Sequence, residues 1–417
     1  MTGRDVGSRM AIAILVVLTA INFLNYLDRY VLSAVLQPLS EELTVDDDAA
    51  GLLGTAFMVV YMVFAPIAGH FGDRFSRHRI AAAGVALWSL ATMGSGLADD
   101  YGTLLLMRAA VGIGEAGYAT VAPAVIADLF GAKERGRKLA WFYLAIPLGS
   151  AMGYLVGGAV GQAWGWRAAF FVAGAPGLVM AVVIAMLPEP RRGASDDEPT
   201  APAEPLPVVA AVRRVWRSPA WRINVIGTTL MTFAMGGIAF WMPTYLVRAH
   251  QMSLAEANTT FGAVTVVAGL TGTLLGGRLG DRAFARRPGG YFTVSGWGLL
   301  LGAPFAALMP MMPTTTLVFV CAFFAEVLLF LNTGPLNAAL VACVPSQLRA
   351  RAVAINVFFI HALGDAISPP LIGVVSTRSA LGFAVGLTAV PIAAAGLSLL
   401  YGARATNARK DGLLATD

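Results

Sequence analysis

Long apolar runs separated by short polar ones set the architecture of this chain. Twelve runs recur, at about residues 10–38, 49–69, 79–98, 102–130, 138–161, 167–187, 219–246, 256–277, 289–309, 313–343, 350–374 and 380–402. Each is roughly 18 to 30 residues long, enough for a helix to cross a hydrocarbon core of ~30 Å. Membrane-crossing strands would show short segments of alternating polarity instead. The pattern predicts an all-α membrane protein with 12 transmembrane helices.

One long polar interruption breaks the series. Residues 188–218, PEPRRGASDDEPTAPAEPLPVVAAVRRVWRS, are rich in proline and read as a flexible linker on the inner side of the membrane. The linker separates a six-helix bundle, 1–187, from a second, 219–417. The halves echo each other. GHFGDRFSRHR (69–79) after span two matches GRLGDRAFARR (277–287) after span eight, so Asp73 and Arg74 align with Asp281 and Arg282. KERGRKLA (133–140) after span four matches QLRARAVA (347–354) after span ten, aligning Arg135 with Arg349. Two echoes at nearly equal offset point to an internal duplication.

Composition sharpens this. The chain of 417 residues is 57% hydrophobic and 13% charged, against about 25% charged residues in soluble chains. With both ends on one side, 24 of the 29 lysines and arginines fall on that side and only Arg167, Arg248 and Arg378 on the other. The rule that positive loops stay inside then predicts cytoplasmic termini. The net charge of +5 is accounted for by this bias and implies no nucleic-acid partner. The start, MTGRDVGSRM, leads into a run too long for a signal-peptide core, so a retained first helix is expected. Cys321 and Cys343 both fall in spans and fit neither a disulfide framework nor a metal site. No metal, cofactor or nucleophile–base set is evident, and an enzyme is not expected.

The candidate chemistry lies in the few charges inside the spans, each costing ~3 kcal/mol or more near a helix centre. These are Asp28 and Arg29 in span one, Arg108 and Glu115 in span four, Glu326 in span ten, and His361 and Asp365 in span eleven. Arg108, Gly112 and Glu115, at i, i+4 and i+7, share a helix face. From the helical rise, Arg108 lies roughly 9 Å, Asp28 roughly 16 Å and Glu115 roughly 20 Å below the outer surface. Asp28 thus falls level with the gap between the other two. If these helices face a common cavity, two acids and one or two arginines meet there, as a proton-coupling site requires; a polar lock between helices is the alternative. Arg29, about 100° round the helix from Asp28, cannot share its partner, so its own remains open.

The second half is barer, with Gly236 and Gly237 aligned to Asp28 and Arg29 and Leu329 to Glu115. Glu326 either contacts substrate or makes a structural hydrogen bond, and Asn332 and Asn337 on its helix are candidates to line the path. His361 and Asp365, at i and i+4, pair with each other. Phe240, Trp241 and Tyr245 form either an interfacial belt or a substrate cage. In the repeated loop, Asp73 at the end of span two is placed to face a helix terminus or an arginine. Such a contact holds one side shut and must break when it opens. Gly69, Asp73 and Arg74, with Asp281 and Arg282 as the second copy, are the candidate gating residues; Arg77 and Arg79 either join them or carry topogenic charge alone.

The GxxGDRxxRR-like element at 69–79 in a 6+6 duplicated chain, with LLLMRAAVGIGEA (104–116) and PLGSAMGYLVGG (147–158), resembles the major facilitator superfamily. Ala285 departs from that pattern in the second copy. NYLDRYVLS (25–33) with GEAGYATVAPAVIADLF (114–130) looks like its spinster branch, whose animal members are associated with export of sphingosine-1-phosphate or lysophospholipids. The resemblance implies the major facilitator fold of two six-helix bundles, with Asp28 and Glu115 as proton-linked acids and Arg29 and Arg108 as their arginines. It implies an alternating-access, proton-coupled secondary transporter of a lysolipid-like or other amphiphilic anion, working as a monomer in a bacterial inner membrane. A sugar-acid:proton symporter or a non-transporting receptor are the alternatives. Partners are then substrate, protons and membrane lipid.

Overall fold

The computed structural model describes residues 7–191, 208–344 and 348–408, apart from a few side chains at helix ends, Asp73 among them. The described chain is helical almost throughout. Spans one to six are Ser8–Glu42, Asp47–Arg74, Arg77–Ser95, Tyr101–Leu129, Ala132–Trp164 and Trp166–Met186. Spans seven to nine are Pro219–His250, Leu254–Arg286 and Gly290–Leu308. Span ten breaks into Thr315–Phe330 and Thr333–Ala342. Span eleven runs from Arg349–Ile360 through a wide turn, His361–Asp365, to Ser368–Arg378, and span twelve combines Leu381–Gly386 with Ala389–Asn407. Eleven of these are long and apolar enough to cross a membrane. The twelfth, span three, is diluted by Arg77, His78, Arg79 and small residues, and it packs between spans four and six. The linker is not wholly irregular: residues 192–207 lie outside the described residues, but Val208–Trp216 is a helix.

Two compact units form. The first is Met1–Ala201 with Gln251–Gly262, the second Pro202–His250 with Ala263–Asp417. The expected division at the linker put all of span eight in the second bundle. Its first turns group with the first unit because Asn258 donates to the Ala34 carbonyl at 2.9 Å and Phe261 packs edge-on against Tyr154 at 5.3 Å.

Within each half the same helices pair. Span one packs on five and six, three on four and six; seven packs on eleven and twelve, nine on ten and twelve. Lipid supplies no hydrophobic drive between helices, so close backbone approach at small residues must hold them. Span five shows how. Gly149, Gly153 and Gly157, at i, i+4 and i+8, face span one, and a Cβ at Gly149 or Gly153 would stand 2.4 Å from the carbonyl of Phe23 or Leu27. Spans two and four meet likewise, a Cβ at Gly112 falling 2.5 Å from the Phe57 carbonyl, and spans eight and ten repeat this with Gly272 against Val327 at 2.3 Å.

The duplication extends to individual hydrogen bonds. Arg135 donates to the Ala127 carbonyl at 3.0 Å and to that of Phe130 at 3.2 Å, satisfying the end of span four. Arg349, its counterpart, donates to Val341 at 3.1 Å, also eight residues upstream, at the end of span ten.

The glycine contacts give a stability prediction. Gly153→Leu drives a side chain into the Leu27 carbonyl and should cost about 1–3 kcal/mol as overpacking, read as unfolding of the purified protein in detergent. Gly136→Ala, at a helical glycine with open space around it, should cost nothing. Equal behaviour of the two would refute the close-packing account.

Candidate functional site: a buried charge cluster

The rotation of span one decides the site. Tyr118 of span four donates to the Leu18 carbonyl at 2.5 Å, and Asn22 donates to the Phe142 carbonyl of span five at 3.1 Å. These bonds turn Asn22, Asn25 and Asp28 into the protein, where all three are buried. Asp28 then faces span three, and Thr92 donates its hydroxyl to Asp28 Oδ2. Arg29, the next residue round the helix, points toward span four, where its Nε donates to Glu115 Oε2 at 2.6 Å. Glu115 has no exposed side-chain surface, and Arg29 keeps 15%.

Aromatic rings enclose the pair. The Arg29 guanidinium lies 4.8, 5.1 and 5.2 Å from the ring centres of Tyr26, Phe57 and Tyr61, within cation–π range. Arg108, 1% exposed, stands 5.4 Å from the same Phe57 ring. Arg108 lies near Asp28 and Glu115 but, among the described residues, forms no ion pair with either. Among the described residues, Arg108 Nε and Nη1, Asp28 Oδ1 and Glu115 Oε1 have no hydrogen-bond partner. The site therefore holds two carboxylates and two guanidiniums close together, with Arg29 and Glu115 ion-paired and Arg108 with donors uncommitted. Such a set can hold a proton at Glu115, release Arg29 when it does, and offer guanidinium N–H groups to an anion.

The spacing argument left Arg29 without an assigned partner and set Asp28 between Arg108 and Glu115. In the structure Glu115 goes to Arg29, and Asp28 accepts from Thr92. Thr92 escaped notice because hydroxyls in membrane helices usually bond to their own backbone, as Thr120 does to the Ala116 carbonyl at 2.9 Å. The ring cage carried a faint signal in Tyr26, three residues before Arg29.

Other candidates are placed elsewhere. Glu326, buried in the second unit, accepts from the Thr265 hydroxyl of span eight at 3.0 Å. Asn332, expected to line a path, instead spends its amide on the Leu328 and Leu329 carbonyls at 2.7 and 3.1 Å, where span ten breaks. Asn337 bonds to the Thr333 carbonyl at 2.8 Å. His361 and Asp365 pair at 3.0 Å, and a Cβ at Gly236 would lie 2.7 Å from that of Asp365. Phe240, Trp241 and Tyr245 are buried, with Trp241 donating to the Pro369 carbonyl at 2.9 Å, so they form no lipid-facing belt.

At the repeated loop Gly69 meets no neighbour within 4 Å and Arg74 is exposed. The Asp73 side chain lies outside the described residues. Arg77 is no bare topogenic charge: it pairs with Asp128 at the end of span four, and its backbone N–H donates to Glu189 at 2.7 Å. In the second copy Asp281 accepts from Tyr291 at 3.0 Å and Arg282 is exposed.

A duplicated bundle of apolar helices with charges buried in its interior is an architecture that membrane transporters share. The sequence pattern of the Major Facilitator Superfamily matches residues 18–369. Protein spinster homolog 1 of Xenopus tropicalis is 35% identical over 387 residues, covering 89% of this chain and 74% of that one. The Homo sapiens protein of the same name is 37% identical over 388 residues, covering 88% and 73%. The structure superposes with a TM-score of 0.88 on a bacterial homolog to the human lysosomal transporter Spinster in an inward-facing, unoccupied conformation, at 25% identity over 96% of this chain and 98% of that one. A D-xylose-proton symporter, at a TM-score of 0.75 and 18% identity over 94% and 97%, shares the fold. The chain belongs to the Major Facilitator Superfamily and, within it, to the spinster family.

Because a buried charge without its partner is costly, Arg29→Ala should destabilise the protein by about 3–5 kcal/mol. Adding Glu115→Gln to the same chain should recover most of that loss. The comparison is made by denaturant unfolding in mild detergent, and additive losses would show that the two residues do not act as a pair.

Proposed function

We propose that this chain is a proton-coupled secondary active transporter that works by alternating access and moves a lysolipid-like or other amphiphilic anion. The observation that carries this reading is the Arg29–Glu115 ion pair beside an Arg108 with uncommitted donors. While Glu115 is ionised it occupies Arg29. A proton on Glu115 cancels that attraction, and the guanidinium becomes available to an anionic head group, with Arg108 as its second donor. By linkage, an anion on the arginines favours the proton on Glu115 to the same degree. Asp28, which accepts from Thr92 and lies near Arg108, is the second proton-linked acid.

The rings around Arg29 offer apolar surface beside the charge. The middles of spans seven to twelve carry no lysine or arginine. Both features suit a molecule with one charged end better than a small dianion. In this reading the loops at Gly69, Asp73 and Arg74 and at Asp281 and Arg282 are the latches that break as the transporter changes state, with Arg77–Asp128 fastening the first of them. Both termini lie on the arginine-rich, cytoplasmic side of a bacterial inner membrane, and one chain is the working unit.

The test uses the purified chain in liposomes with an imposed pH gradient, followed by flux of a lysophospholipid, a sphingoid phosphate and a sugar acid. Gradient-driven flux of a lipid anion is expected, and Glu115→Gln should lower it by about tenfold, within the usual span of coupling energies, while flattening its pH dependence. Unchanged pH dependence in the variant would remove the coupling assignment. Flux of the sugar acid alone would remove the amphiphile.

A further inference from the structure

A second concentration of positive charge lies well away in sequence from the cluster. The helix Val208–Trp216 runs into span seven, and it is held in place on its inner side. Val215 is buried, and the Trp216 ring packs against Trp221 at 5.6 Å and Phe359 at 5.5 Å. Ser218, between the helices, accepts from the Trp221 N–H at 3.3 Å and donates to the Cys343 carbonyl at 3.1 Å. A segment of linker is thereby fixed on spans seven, ten and eleven.

Its other side borders a cleft of about 530 Å³ lined by Val212, Arg213, Trp216, Arg217 and Arg222. Arg213 and Arg217 are one helical turn apart, as are Val212 and Trp216, and Arg222 comes from the first turn of span seven. Residues 208–250 contain no aspartate or glutamate. Among the described residues none of the three arginines forms an ion pair. Three guanidiniums on one cleft, with no carboxylate among the described residues that line it, repel one another, and an anion that takes their N–H groups relieves this.

The lining also says which anion. Val212 and Trp216 remain 36% and 43% exposed, and an indole beside a membrane-entering helix is a headgroup-level anchor. Arg222 lies in the first turn of span seven, so the cleft borders the arginine-rich end of that apolar helix. We propose that it binds the headgroup phosphate of an anionic phospholipid, with Arg213, Arg217 and Arg222 on the phosphate and Val212 and Trp216 against the glycerol and upper chain. A free phosphate would satisfy the arginines but leave the apolar half of the cleft in water.

The test takes the full-length chain in neutral detergent and adds phosphatidylglycerol, phosphatidylcholine or inorganic phosphate at matched ionic strength. Bound lipid is counted by native mass spectrometry, and stability is followed by thermal unfolding. Phosphatidylglycerol is expected to be retained about tenfold over phosphatidylcholine and to raise Tm, with the preference falling near parity in R213Q/R217Q/R222Q. Arg214→Gln, on the same helix but outside the cleft, should keep it. Equal retention of the two lipids, or an unchanged preference in the triple variant, would overturn the proposal. So would a Tm rise with inorganic phosphate equal to that with phosphatidylglycerol. Should the triple variant not fold, Arg222→Gln alone is expected to reduce the preference about threefold, and no reduction would count equally against it.

Discussion

Burying a guanidinium in a low-dielectric interior is costly unless a counter-charge meets it, and the first bundle meets that condition for Arg29 with Glu115. It requires spans one and four side by side, at one depth and one rotation. The Tyr118 and Asn22 hydrogen bonds set the rotation, and the glycines of span five hold span one close against it. A buried pair of this kind contributes little net stability compared with an apolar core of equal volume. Its presence is better explained by what happens when the pair separates than by what it holds together.

The two halves solve one packing problem in two ways. Where spans two and four cross, Gly112 lies on the Phe57 backbone; where eight and ten cross, the aligned positions are Glu326 and Thr265, which hydrogen-bond. Gly236, aligned with Asp28, is pressed against Asp365 of span eleven instead of bearing a charge of its own. The helix pairing survives these exchanges because it depends on close backbone approach at other glycines, such as Gly272. Chemistry at a crossing is replaceable so long as the spacing is kept.

The twelve helices and their duplication were legible in the sequence, because spanning length and charge bias are written in runs of residues. Which neighbour each charge meets was not, because that depends on the rotation of one helix against another. The rotation rests on single contacts such as Tyr118 to the Leu18 carbonyl. Asn332 shows the same limit: its type suggested a polar path, and its use is to finish a broken helix. Helix Val208–Trp216 was hidden by the proline-rich composition of the segment before it.

Arg135 and Arg349 close off equivalent helices by reaching back the same eight residues. That fastening is common to the two halves, whereas the four-charge cluster is found in the first of them alone. A shape held by contacts of that kind does not depend on the few charges placed inside it, so close likeness of fold is a poor guide to shared cargo.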